Sequence, residues 1–400
     1  MTQALLILTN IAIILLLGLL CTIISKKLNI SNVLLLIILG VILKAITYKN
    51  QSVFEFTPSF LISISILALV MITFDGSSRL KLKEVDAFSN DALKLVMMFI
   101  ITSIIFVGFF TNLLFYETFS FETIILSIIF AVVVIGTDPS AVFSMLKSKT
   151  NKVVEFLQIE AIINTPIVVL IPFILLDFIA EAKTSSIIEG IVEQIVPFFR
   201  QIVVGIGAGV IIGIIVFKAM KKVYSHQLSP LGVITAAILS YILAENLGGN
   251  GVLSVATMGL FFGSIYVKRK SHLQEFSSML SNALEIFVFV LTGFLISFKL
   301  NPGFIFKSLI LFAVLVLARK LSLYLTLRKK GYNSKEQTFM ALNMPKGLPV
   351  AVVAFSLSVK NISQLGIILD LLLAFIVYSL ILSTIIDRYS KKFIKIELEN

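Results

Sequence analysis

Charge is scarce in this chain. Of 400 residues only 14% are charged, while 58% are hydrophobic. Soluble domains run at about 25% charged and about 45–50% apolar, so a fold surrounded by water is excluded. Cysteine is nearly absent too: Cys21 stands alone, which rules out an internal disulfide framework and reads as a small apolar residue of the first helix. The two histidines, His226 and His272, both fall in basic loops, and no Ser/His/Asp or metal-ligand spacing surrounds them. Neither an enzyme nor a resident cofactor is therefore expected. No basic residue precedes the first apolar run, Leu5–Ile24, and no small-residue cleavage site follows it, so it reads as a retained helix rather than a signal peptide. The net charge of +11 would suit nucleic acid, but the basic residues form short clusters between apolar runs and no continuous stripe. Nucleic acid is not a partner.

What the chain has instead is apolar length. Mean hydropathy is +1.05, and runs near the ~20 residues needed to cross a bilayer recur from end to end. The runs predict spans at 4–24, 31–48, 57–75, 92–115, 121–146, 154–180, 194–219, 230–246, 251–267, 280–298, 304–326, 337–358 and 365–387. An amphipathic lead-in, Ser186 to Glu193, precedes the seventh. The eighth and ninth are separated only by Gly248-Gly249-Asn250; counted as one, they would leave twelve. Basic residues test the count. Alternate loops, from Lys26 and Lys27 through Arg79, Lys147, Lys218, Lys268 and Arg328 to the last cluster at Arg388–Lys395, hold 22 of them. The opposite loops hold four: Lys49, Lys183, Lys299 and Lys360. That asymmetry places the N-terminus outside and the C-terminus in the cytoplasm of a multi-pass plasma-membrane protein.

An ionisable residue in hydrocarbon costs ~2.5–3.5 kcal/mol even on the lenient insertion scale, so each one needs a reason. Asp138, Glu160, Arg319 and Lys346 lie well inside their spans. Glu245, Asp177, Lys94, Lys320 and Asp370 lie nearer the ends, where snorkelling accounts for them. The inner four could be two ion pairs that only fix helix packing. Helix breakers argue otherwise. Asp138 sits in Gly136-Thr137-Asp138-Pro139, midway through span 5, and Lys346 in Pro345-Lys346-Gly347-Leu348-Pro349, midway through span 12. Irregular backbone at membrane depth is tolerated only inside protein or beside a water-filled cavity. Interruptions at matching positions in two halves point to a transporter site. With span 7 as connector, spans 8–13 repeat spans 1–6 upside down. The fold expected is all-α and polytopic, an inverted repeat of about thirteen transmembrane helices with helices 5 and 12 discontinuous. The glycines from Gly205 to Gly213 read as close helix packing in span 7 rather than a phosphate cradle.

At these residues the sequence resembles the monovalent cation:proton antiporter superfamily, in its sodium/proton exchanger (NhaP and NHE-like) branch. Gly136-Thr137-Asp138-Pro139 is similar to the family's unwound Thr-Asp-Pro segment. Glu160-Ala161-Ile162-Ile163-Asn164 is similar to the start of its Glu-Ser-x-x-Asn-Asp motif, Ala318-Arg319-Lys320-Leu321 to its helix 11 arginine segment, and Lys346-Gly347-Leu348-Pro349 to the basic-Gly segment of helix 12. Gly248–Leu253 and Phe74-Asp75-Gly76 are fainter echoes. The resemblance implies exchange of a monovalent cation (sodium, with potassium or lithium as alternatives) for protons, in a homodimer. It implies scaffold helices in 1–91, core helices in 92–181, a connector and further scaffold in 182–303, core again in 304–388, and a short cytoplasmic tail at 389–400. Thr137 would offer a backbone carbonyl to the ion, Asp138 a carboxylate, Asn164 would orient the site, and Glu160 would pair with Arg319.

Two departures matter: the family's aspartate after the asparagine is Thr165 here, and its serine is Ala161. Its helix 12 arginine is also replaced, by Lys346. Asp138 and Glu160 then balance Arg319 and Lys346 at zero net charge, where the family pattern leaves one negative charge for a cation or a proton. Lysine offers an escape, because a buried lysine can give up its proton and arginine does not. Lys346 would then be the exchanging group, with Thr165 supplying a hydroxyl ligand. The alternatives are a non-transporting scaffold or sensor built on the exchanger fold, and a solute symporter of similar architecture.

Overall fold

A computed structural model of the chain describes residues 3–28, 31–48, 51–52, 54, 56–79, 82–138, 152–181, 187–222, 225–265, 269–295, 301–358, 362 and 364–394. Apart from a two-residue antiparallel ladder pairing Thr47–Tyr48 with Gln51–Ser52, the regular structure among these is helical. In chain order the helices are α1 (Gln3–Leu28), α2 (Asn32–Ala45), α3 (Pro58–Ser78), α4 (Leu82–Ser103), α5 (Phe121–Val133), α6 (Lys152–Glu181), α7 (Ile187–Lys222), α8 (Leu228–Asn246), α9 (Gly251–Ser264), α10 (Lys270–Leu295), α11 (Pro302–Leu327), α12a (Ser334–Leu342), α12b (Leu348–Ser358) and α13 (Leu365–Arg388). Eight described helices are long and apolar enough to cross a membrane by length and composition, and α2, α5, α9 and α12b are shorter apolar helices.

Local chemistry sets many of the helix ends. Thr57 caps α3, with Pro58 in the first turn, and Asn301 caps α11 with Pro302 placed likewise. Capping boxes open α5 (Ser120 with Thr123) and α12a (Asn333 with Glu336). The amphipathic lead-in before span 7 is continuous with it, so α7 runs from Ile187. The Gly-Gly-Asn stretch is a true turn. Gly248 adopts φ +73°, a conformation that disfavours any side chain, and Arg200 of α7 donates to the Leu247 carbonyl at 2.8 Å. Asn250 then caps α9. The glycines of α7 lie against α9, where a Cβ on Gly205 would come within 2.8 Å of the Asn250 carbonyl oxygen.

One feature of α4 was not expected. Beyond Ser103 the helix widens into π turns at Ile104–Gly108 and Asn112–Tyr116 before the chain turns at Glu117.

The helices pack in two neighbourhoods. α1–α3 and α7–α10 contact mainly one another, as do α4–α6, α11, α12a and α13; α12b packs on α13 and reaches across to α3 and α10. Every residue of α12b from Leu348 to Phe355 is buried, which makes it the innermost element. Leucine, isoleucine and phenylalanine face outward over α1, α7 and α11. In water such a surface would be untenable; in lipid it is the solvated one.

Candidate functional site

The two interrupted segments meet. At the end of α5 the last turn tightens, with Ile135 and Gly136 donating to Val132 and Val133 at 3.2 and 3.1 Å, and the chain then runs irregularly through Thr137 and Asp138. Pro139, and with it the rest of span 5, lies outside the described residues. The second interruption covers Asn343–Gly347, between α12a and α12b. Pro345 lies inside it, whereas Pro349 is the second residue of α12b, a position where the missing N–H is harmless.

Unpaired backbone groups at membrane depth must find partners, and here the two interruptions supply one another. Asp138 N–H donates to the Pro345 carbonyl at 2.9 Å. The Asp138 carboxylate accepts from Leu348 N–H at 3.1 Å, which places its negative charge on the N-terminus of α12b. Gly347 makes that approach possible, because a Cβ there would overlap Asp138 Oδ2. In return Lys346 Nζ donates to the Ile135 carbonyl just past α5, at 3.4 Å, so an ammonium meets the negative end of that helix. Lys346 N–H is taken by Ser379 Oγ of α13 at 2.9 Å. Asp138 and Lys346 are both fully buried.

Glu160 and Arg319 form a separate, fork-to-fork pair. Nη1 donates to Oε1 at 2.7 Å and Nη2 to Oε2 at 2.5 Å, with both side chains fully buried. The guanidinium also lies over the Phe99 ring of α4, 4.8 Å from its centroid. Beside it, Thr102 and Ser322 share a hydroxyl hydrogen bond of 2.7 Å between α4 and α11. Asn164 donates to Thr137 Oγ1 at 2.6 Å, tying α6 to the unwound segment. The Thr165 hydroxyl donates back to the Ala161 carbonyl at 2.7 Å, which leaves its lone pairs as the available chemistry.

Those lone pairs border a cavity. Asp138, Ile162, Thr165, Leu348 and Pro349 line one side, and Leu69, Ile72, Thr73 and Gly76 of α3 the other. Its volume is about 20 Å³, enough for about one water. The cavity therefore lies at the contact between the two packing neighbourhoods. Hard oxygen donors in such a space suit an alkali ion or a water. Among the described residues no cluster of three or more His, Cys, Asp or Glu could hold a metal.

Three participants were not singled out from the sequence: Ser379, Phe99 and the Leu348 amide. A serine in a helix and a phenylalanine in an apolar run carry no signal of their own. The Leu348 amide was legible in principle, as the first N–H after a proline-glycine break.

The sodium/hydrogen exchanger transmembrane family matches residues 11–392. A probable Na+/H+ antiporter 2 from Methanocaldococcus jannaschii is 26% identical over 354 residues, spanning 83% of this chain and 79% of that protein. A K+/H+ antiporter NhaP2 from Shewanella baltica is 23% identical over 73% of this chain, which covers half of that longer protein. Among solved structures, the sodium proton antiporter MjNhaP1 from M. jannaschii superposes with a TM-score of 0.80 at 20% identity, covering 96% of this chain and 97% of that one.

Proposed function

The chain belongs to the sodium/hydrogen exchanger family, and from that premise we propose that it exchanges a monovalent cation for protons by alternating access, with Lys346 as the proton carrier. The observation that carries the reading is the mutual capping of the two interruptions, which leaves Asp138 and Lys346 buried at one crossing. With Lys346 charged, Asp138 and Glu160 are matched by Lys346 and Arg319. An entering cation about 5 Å from the ammonium would be repelled by about 3 kcal/mol at an effective dielectric of about 20, a loss of roughly two decades in affinity. Release of the Lys346 proton removes that repulsion. Cation and proton then exclude one another, which is the coupling an exchanger requires. One cation against one proton moves no net charge.

Ligands for the ion are the Thr137 carbonyl, the Thr165 hydroxyl, Asp138 and water, with Asn164 holding the Thr137 side chain in place. Arg319 and Glu160 stay paired and tie α6 to α11. The packing of α4–α6 with α11–α13 supports a core at 92–181 and 304–388. It would move against a scaffold at 1–91 and 182–303, which would also form the homodimer. The asymmetry of basic loops supports an external N-terminus and a cytoplasmic C-terminus in the plasma membrane. Relatives named for sodium and for potassium leave the ion a matter for assay.

The test is purified protein in liposomes, with dye-reported proton flux on addition of sodium, then potassium. Lys346→Arg keeps the charge and removes the titration, so cation-driven proton flux should disappear while the protein still folds. An unchanged pH profile in that variant would transfer the carrier role to Asp138 or Glu160. Wild-type protein that exchanges neither ion would favour the one competing reading with a residue behind it, a non-transporting scaffold in which Thr165 has replaced the exchanging aspartate.

A further inference from the structure

Lys320 follows the buried Arg319 but is itself exposed. It lines a groove of about 260 Å³ together with Leu317, Leu321 and Tyr324 of α11 and Ser334 and Gln337 of α12a. The three apolar or aromatic residues are exposed, as on a face that meets acyl chains. Among the described residues no carboxylate pairs with Lys320. Glu336 and Asp91, two carboxylates of the same end of the bundle, are taken by Lys152 and Lys330 at 3.6 and 3.1 Å.

Depth makes this lysine conspicuous. α11 holds 26 residues, about 39 Å of helix at 1.5 Å per residue, against a hydrocarbon core of about 30 Å. Lys320 stands about 10 Å from the helix end at Leu327. With equal overhang at both faces it lies about 6 Å inside the hydrocarbon boundary, within reach of a snorkelling stem. Snorkelling alone would need only bulk headgroups. Here the stem instead borders a recess with a hydroxyl on its far wall, Ser334. The Gln337 amide donates to the Tyr332 carbonyl at 3.1 Å and so shapes the wall. A second positive charge sits at the rim, where the Arg328 guanidinium lies 5.3 Å from the Tyr324 ring centroid.

We propose that this groove is a binding site for an anionic phospholipid. The phosphate sits between Lys320 and Ser334, and an acyl chain runs along Leu317 and Leu321. Basic recesses between membrane helices suit such headgroups. The site lies on the opposite face of α11 from Arg319 and does not depend on which ion is carried.

Delipidated protein in detergent tests this by thermal melting and native mass spectrometry, with phosphatidylglycerol, phosphatidylcholine or free glycerol 3-phosphate added. Phosphatidylglycerol should raise the melting temperature and remain bound in the spectrum, with the other two giving little. Lys320→Gln should lose more than half of the phosphatidylglycerol-specific shift and one bound lipid. Lys307→Gln, at the other end of α11, should lose neither. Equal effects of phosphatidylglycerol and phosphatidylcholine, or an undiminished shift in Lys320→Gln, would overturn the proposal. A shift of equal size from glycerol 3-phosphate would overturn the lipid assignment and leave a free-anion site.

Discussion

Replacing Arg319 by glutamine and replacing Glu160 by glutamine both break the same fork-to-fork pair, yet they leave different charges behind. Both side chains are fully buried and meet at 2.7 and 2.5 Å, so neither survivor reaches water. In Glu160→Gln the stranded group is a guanidinium, which keeps its proton at any working pH. Breaking a buried pair in this way costs ~3–5 kcal/mol, and the cost should be flat with pH. In Arg319→Gln the stranded group is a carboxyl, which can take a proton. Neutralising a group of ordinary pKa ~4.3 at pH 7 costs about 2.7 units at ~1.4 kcal/mol each, so the loss is capped near ~4 kcal/mol. The folded variant then holds a proton that the unfolded chain has shed, so its stability rises as pH falls, by up to ~1.4 kcal/mol per unit. Between pH 8 and pH 5 the Arg319→Gln protein should therefore recover most of its deficit, while Glu160→Gln should not. The double variant strands no charge and should be less damaged than the worse single one. Melting in detergent across that pH range reads all three. Additive losses, or an Arg319→Gln deficit indifferent to pH, would refute the reasoning.

Gly347→Ala should abolish exchange, because its methyl group would occupy the position of Asp138 Oδ2; Gly207→Ala, which faces open space in α7, should be silent in the same flux assay. Ser379→Ala removes the acceptor of the Lys346 amide and should cost ~1–3 kcal/mol in melting stability, the penalty of an unsatisfied buried donor. Gly248→Ala should also destabilise, by ~1–2 kcal/mol from the left-handed backbone, and more where its methyl meets Arg200; a melting temperature equal to wild type would contradict the turn geometry.

How far the sequence could be read depended on how costly each feature is in lipid. Buried charge is costly enough that Asp138, Glu160, Arg319 and Lys346 stood out singly, and their meeting in one region follows from that cost. Proline and glycine inside an apolar run marked the breaks for the same reason, and Asn343–Gly347 is where the second one lies. What stayed hidden involves weak or common groups. Ser379 looks like any small residue of α13, and its partner is 33 positions away. Phe99 is one of 34 phenylalanines, and only the fold selects it as the ring under Arg319. The π turns of α4 leave no trace in periodicity, since each adds a residue to a turn without changing which residue types line it. The Lys320 groove was equally invisible, because it is a shape between two helices and a lone lysine near a helix end already had an explanation.

The ion pair between α6 and α11 joins residues 159 positions apart. A ribosome adding roughly 5–20 residues per second delivers Arg319 some 8–30 s after Glu160. For that interval the first six helices are in the membrane with a carboxyl that has no guanidinium to meet, and a proton is its readiest neutraliser. The Thr137–Asp138 segment waits longer still for the backbone of Pro345 and Leu348. The newborn N-terminal half is thus a bundle with open polar wounds at its centre, and it closes only when the last three helices arrive. A message cut short between Glu160 and Arg319 would yield a protein whose defect is a carboxyl buried in the bilayer with no guanidinium to meet it.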